Sequence, residues 1–201
     1  FHLGNPGWLS GVAVRWAAAL LSIASDADFT ALAATAPPGC DGLVFIPALT
    51  GAMAPRWIAS ARGSFTGLSS AHGPAHLARA VLEGTAFAMR DVVDRLDALG
   101  VPTDRLRLMG GGAQSALWCQ IRADLTGRPA DVLDEGDASA LGAAMLAAIA
   151  AGRVPDIASA SALLDVPTRQ VQPGPPVYEA AYRRYREAFD LLEPLWQAPS
   201  P

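Results

Sequence analysis

The sequence predicts an α/β fold: a parallel sheet segment with helices packed on its faces. Three observations predict it. From residue 74 onward the apolar patterning alternates helix, strand, helix, strand, helix with short links, the pattern of parallel strands joined by crossover helices. Ala supplies 41 of the 201 residues, and helices with small faces can approach a sheet closely. Apolar residues make up 51% and charged residues 17%, which is enough for a core and excludes a disordered or polyelectrolyte chain. The length favours one domain, 1–201, with 156–201 as a helical extension of it. No internal repeat or heptad run is present.

The elements follow in order. Apolar residues dominate 8–23, with Arg15 as the single charge, and predict a mostly buried helix. Asp26 or Asp28 caps a second, short helix that ends before Pro37-Pro38-Gly39. Leu43-Val44-Phe45-Ile46 is a fully apolar strand, 47–62 is irregular with Gly51, Pro55 and Trp57, and 63–68 is a second strand. Gly73-Pro74 opens the longest helix, 74–99, because proline at the first helical position lacks only an N–H that would be unpaired anyway. Leu77, Val81, Phe87, Val92, Val93 and Leu96 form its core face, and Gly100 ends it. A strand at 105–109, a helix at 115–126 and a strand at 130–133 come next. The apolar run 138–151, between Asp137 and Arg153, is too short to span a bilayer and predicts a buried helix ended by Gly152. Residues 156–164 form a small helix and 166–172 an extended segment. A closing amphipathic helix, 175–196, carries Tyr178, Tyr182, Tyr185 and Phe189 in one stripe, read as core packing.

Composition excludes several functions. The net charge is −4, which gives no reason to expect nucleic acid or an anionic membrane as partner. All 15 basic residues are Arg, so a Walker-type phosphate loop and Schiff-base chemistry both lack the amine they need. Cys40 and Cys119 lie far apart and there are three His, which argues against a disulfide framework or a zinc site and for a reducing, cytoplasmic compartment. The chain opens Phe1-His2-Leu3 with no initiator Met and no basic leader, so no secretory signal is expected and a piece of a longer protein is.

The sharpest local signal is Leu106-Arg107-Leu108-Met109-Gly110-Gly111-Gly112-Ala113-Gln114-Ser115: strand, three glycines, helix. Without side chains the glycines let a ligand reach the backbone, and the following helix adds a positive end, so a phosphate is favoured. An isolated glycine triplet also marks a bare strand-to-helix turn, and that reading stands beside the first. The spacing does not fit a dinucleotide fingerprint. The small residues of 137–144 would let two helix ends sit close together beside the turn, or else reflect ordinary helix packing.

Other candidates weigh less. His72 and His76 are read as loop and helix-cap residues rather than metal ligands. Glu83, alone in an apolar helix segment, either reaches a cleft or faces solvent. Asp124 is read as a helix-end salt bridge and Trp118 as core. There is no GxSxG and no Ser/His/Asp set.

Four stretches together resemble the FGGY carbohydrate kinases. GGGAQSALWCQIRADLTG at 110–127 is similar to the family's second signature region, and ALGAA at 140–144 follows where the family carries it. Residues 72–94 resemble the long central helix. FIPALTGAMAPRW at 45–57 resembles a loop usually written Gly-Glu-Arg-x-Pro, with Ala52-Met53 in place of Glu-Arg. Either that pair serves specificity or activity, or it is a surface salt bridge whose loss matters little.

The resemblance implies an actin-like, ribonuclease H-like ATPase domain: a mixed sheet with helices on both faces, lacking the first two strands of its core. It implies ATP and Mg²⁺ as cofactors, a sugar substrate and a further, N-terminal kinase domain as partner, with a homodimer as one option. It places the adenosine and α-phosphate site on Gly110, Gly111, Gly112 and Ala113, with Gln114 and Ser115 near the base. The reaction implied is transfer to D-xylulose, or in another member to a related polyol or sugar acid. A non-catalytic actin-like binding module is the alternative. The family's general-base carboxylate and Gly-Thr phosphate loop have no counterpart in these residues, so no catalytic or metal-ligating residue is assigned and the chain alone is expected to transfer no phosphate.

Overall fold

A computed structural model describes residues 10–133, 138–163 and 167–197. Helix α1 runs Ser10–Leu20 and α2 runs Asp26–Ala34. The expected start of α1 at Trp8 lies outside the described residues, and its far end stops three residues early. The cap of α2 corrects the expectation: it is Ser25, whose Oγ accepts the Asp28 N–H at 3.1 Å while donating to the Asp28 carboxylate at 2.7 Å. A serine one step earlier has the extended backbone a cap needs, and its hydroxyl donates to the Asp28 carboxylate.

Strands β1 (Val44–Ile46) and β2 (Ser64–Thr66) form an antiparallel ribbon in which Phe45 faces Phe65. Helix α3, Pro74–Ala98, packs along β1 so closely that a Cβ on Gly84 would stand 2.2 Å from the Phe45 carbonyl oxygen. A second sheet holds β3 (Leu106–Leu108), β4 (Ala130–Leu133) and β5 (Thr168–Val171). β3 and β4 are parallel, joined through α4 (Ala116–Thr126); β5 returns antiparallel on β4, so the sheet is mixed. The five described strands thus form two separate sheets, and α4 packs on one face of the second.

Helix α5 (Ala138–Ala150) and helix α6 (Ile157–Ala162) pack on each other. The expectation that α5 is buried is overturned: among its described side chains none is buried, and Leu146 is 62% exposed. Apolar composition buries a helix only where a partner surface exists, and six-residue α6 is too small to cover it. A Cβ on Gly142 would meet nothing within 4 Å, so this glycine is not needed for a close approach to another element. Asp137, Leu164 and Val166, expected at element ends, lie outside the described residues. Helix α7 is Glu179–Gln197, not 175–196. Pro175 and Pro176 lack the N–H groups a helical ladder uses, so the helix starts after them.

The main core joins α1, α2, α3, β1, α4 and α7, and contains Phe29, Phe45, Phe87, Trp118, Tyr182, Tyr185 and Phe189, as the tyrosine stripe predicts. Glu83 corrects both readings given to it: it is 1% exposed and neither reaches a cleft nor faces solvent. Arg79 Nε donates to it at 2.7 Å, the Gly39 N–H donates at 3.1 and 3.2 Å, and the Cys40 thiol at 3.6 Å. Arg79 also donates to Ala36 O and to the Tyr178 hydroxyl. Burial pushes the Glu83 carboxyl above its usual range against the pull of Arg79, and pushes the Cys40 thiol up as well. The network fixes the left-handed loop Gly39–Gly42 between α3 and α7. His76 caps α3 as expected, its Nδ1 accepting the Gly73 N–H at 3.1 Å, which leaves Nε2 to donate to Asp41. His72 Nδ1 accepts the Ser69 N–H at 2.9 Å.

Candidate nucleotide site

The glycine turn stands where β3 ends. Gly110 has φ 76° and ψ −171°, a conformation open essentially to glycine alone. Gly111–Ala113 make one tight turn, closed by Ala113 N–H to Gly110 O at 2.9 Å and Gln114 N–H to Gly111 O at 3.2 Å. Neither the Gly111 nor the Gly112 N–H has an acceptor among the described residues. A Cβ on Gly110 or Gly111 would meet nothing within 4 Å, so this side of the turn is open. On its other side Gly112 is pressed against α4: a Cβ there would lie 2.8 Å from Trp118 Cζ3.

Three contacts hold the turn. Ala113 is buried and its carbonyl accepts the Cys119 thiol at 3.3 Å. Ser115 Oγ caps α4 by accepting the Trp118 N–H at 3.2 Å, and Thr30 Oγ1 of α2 donates to that same oxygen at 3.2 Å. Trp118 is core, as expected, with Nε1 donating to Leu82 O of α3 at 3.2 Å. Gln114 is exposed at the tip. The open amides therefore sit on a rigid base, with the positive end of an 11-residue helix behind them. Such a base suits an anion without any Lys, because fixed N–H dipoles need no reorganisation to meet it.

Two further placements correct expectations. Asp124 makes no ion pair among the described residues; its Oδ1 accepts from Gln120 Nε2 at 2.6 Å and from the Gly174 N–H at 2.7 Å, so it ties α4 to the segment leaving β5. Ala52 is not at the surface but 1% exposed, exchanging two backbone hydrogen bonds of 2.9 Å with Ile58. A carboxylate there would be desolvated, so Ala at 52 is a packing choice and not a lost surface salt bridge. Arg122, which the sequence reading does not single out, lies 3.9 Å over the Trp118 ring. Burial lowers its guanidinium to about 10. The signal that marks it is an arginine one helical turn after a tryptophan that is itself core.

Two concavities lie elsewhere, one beside Gly39–Gly42 and Arg184, the other beside Pro55, Asp91 and Tyr182. The turn itself is open at Gly110 and Gly111. No group of three or more His, Cys, Asp or Glu among the described residues could hold a metal ion. No described helix is long and apolar enough to cross a membrane.

Residues 9–151 match the model of the FGGY family of carbohydrate kinases, C-terminal domain, and this stretch contains the turn and the helix it caps. The chain belongs to the FGGY family. FGGY kinases are ATP-dependent phosphotransferases, and the fold is the actin-like ATPase fold of their C-terminal domain. The chain is 38% identical over 193 residues to a xylulose kinase of Escherichia coli (strain K12), which covers 96% of this chain and 40% of the relative. It is 39% identical over 144 residues to a glycerol kinase of Gloeobacter violaceus, 71% of this chain and 29% of that one. Among solved structures, the xylulose kinase from Rhodospirillum rubrum superposes with TM-score 0.79 at 37% identity over 94% of this chain and 39% of that one. The gluconate kinase from Lactobacillus acidophilus superposes with TM-score 0.77 at 29% identity, over 94% and 38%. The chain therefore spans about two fifths of the length of the xylulose kinases it matches.

Proposed function

We propose that this chain is the nucleotide-binding part of an ATP-dependent kinase acting on D-xylulose. The observation that carries the reading is the pair of N–H groups at Gly111 and Gly112 that no described residue accepts, on a turn that the core holds rigid and that is open at Gly110 and Gly111. A phosphate oxygen accepting from them would also meet the helix end, so binding draws on fixed dipoles alone. Gly110 sets the direction of the turn and Ala113 anchors it; this reading assigns Gln114 and Ser115 to the base. The residues present thus fit an adenine nucleotide. Bound ATP supplies the phosphoryl group, and Mg²⁺ would arrive on its β- and γ-phosphates, since the described residues offer no metal cluster.

For the sugar, the support is identity: 38% over 96% of this chain for the xylulose kinase, against 36% over 92% for a glycerol kinase of Rhodopirellula baltica and 29% over 94% for the gluconate kinase structure. Cys40 and Cys119, both buried and neither in a disulfide, fit a reducing cytosol. The missing acceptor side and base belong to the further kinase domain with which this chain would form the cleft. The test is calorimetric titration of the 201-residue chain with ADP, beside an ADP-release assay with ATP, Mg²⁺ and D-xylulose. The reading expects saturable ADP binding and no xylulose-dependent turnover by this chain alone. No ADP binding defeats it, and turnover defeats the assignment of the base to another domain.

A further inference from the structure

Arg122 is a cation without a counter-charge. Its guanidinium is held between the Trp118 ring, 3.9 Å away, and the back of the glycine turn, with Nη2 3.4 Å from where a Cβ of Gly112 would be. Among the described residues it forms no ion pair and no side-chain hydrogen bond. The other arginines packed into this protein are answered by carboxylates: Arg56 by Asp190 and Glu193, Arg79 by Glu83, Arg90 by Glu179, Arg128 by Asp97. Arg122 is half-buried, and a partly desolvated cation left unpaired is unfavourable; stacking on an indole offsets only part of that. The arrangement makes sense if an anion completes it.

The anion can be located. A Cβ stands two bonds, about 2.5 Å, from its own backbone nitrogen. Nη2 is then no more than about 6 Å from the Gly112 nitrogen, and one oxygen about 2.9 Å from each spans that gap. We infer that Arg122 is a phosphate-contacting residue of the nucleotide site, donating to the same phosphate group that accepts the Gly111 and Gly112 N–H groups. This rests on the nucleotide reading above and adds to it the residue that supplies charge. The turn alone offers dipoles; a planar guanidinium adds a full charge and a forked donor matched to phosphate oxygens. The base and ribose gain nothing from it, so the contribution falls on the phosphates alone.

The test compares ADP with adenosine on the full chain, as wild type, Arg122→Gln and Arg122→Lys, each checked for an unchanged melting temperature. One charge-assisted contact predicts a loss of ADP affinity of about tenfold or more in Arg122→Gln, with adenosine affinity unchanged and a shallower dependence on salt. Arg122→Lys should recover part of the loss. Equal ADP affinity in wild type and Arg122→Gln overturns the inference while leaving the nucleotide site in place. Equal losses for ADP and adenosine also overturn it, because Arg122 then acts only through packing on Trp118. Failure of wild type to bind either ligand overturns the site reading itself, and the inference with it.

Discussion

Gly112→Ala separates the two sides of the turn. The new Cβ would stand 2.8 Å from Trp118 Cζ3, 3.2 Å from Cε3 and 3.4 Å from Arg122 Nη2. Carbon atoms prefer about 3.5–4.0 Å, so the nearest contact overlaps by about 0.7 Å. The arginine tip can swing away; the indole cannot. Trp118 is 3% exposed and its Nε1 is bonded to Leu82 O, so the turn itself must shift. Overpacking of this kind costs about 1–3 kcal/mol, which for a chain of this length lowers Tm by about 2–12 °C. The Gly111 and Gly112 N–H groups move with the turn, and loss of one charge-assisted bond reduces ADP affinity about tenfold. Gly111→Ala is the control. Its Cβ meets nothing within 4 Å and its φ is not left-handed, so stability should stay within about 0.5 kcal/mol of wild type while ADP affinity falls, because the methyl group occupies the open side. Differential scanning fluorimetry and calorimetric titration read both quantities. If Gly112→Ala melts like wild type, or Gly111→Ala melts as low as Gly112→Ala, the assignment of an open and a packed side is wrong.

Three other outcomes follow from the fold. Glu83→Gln leaves the Arg79 charge buried without its partner and should lower stability by about 3–5 kcal/mol by chemical denaturation, whereas a loss below 1 kcal/mol would mean that the network is dispensable. Gly84→Ala forces a Cβ to within 2.2 Å of a strand carbonyl and should displace α3 from β1, read as a lower Tm and faster amide exchange at Phe45; neutrality would refute the close approach. Glu179 is held below its ordinary value near 4.5 by hydrogen bonds from Arg90. Its folded pKa is the lower one, so its contribution is present above that ordinary value and fades as pH falls through the lowered one. Glu179→Gln should therefore narrow the Tm drop between about pH 5 and pH 3, and an unchanged profile would dismiss the clamp.

The sequence exposes what is local. Pro74 and Gly100 bracket α3 because each acts on its own backbone, and Gly110–Gly112 mark the turn because φ 76° at Gly110 is legible as glycine. The tyrosine stripe also follows from pattern, whereas the apolar alternation predicts only parallel strands and the mixed sheet comes from the family resemblance. What stays hidden depends on distant partners. The acceptors and donors around Glu83 come from Gly39, Cys40 and, through Arg79, Tyr178, so an acid in an apolar helix could not be placed from its neighbours alone. The 138–151 run looks like core by composition, yet burial depends on what lies opposite. Ala52 looks like a surface substitution until its pairing with Ile58 is seen. At the site itself the glycines are visible and Arg122 is not, because its lack of a counter-charge is a property of the fold.

Amide NMR of the isotope-labelled chain during an ADP titration tests the central claim most directly. The account predicts that the Gly111 and Gly112 amide protons move downfield together, saturably and further than any others. Unmoved glycine amides alongside saturable shifts elsewhere in the molecule would contradict it.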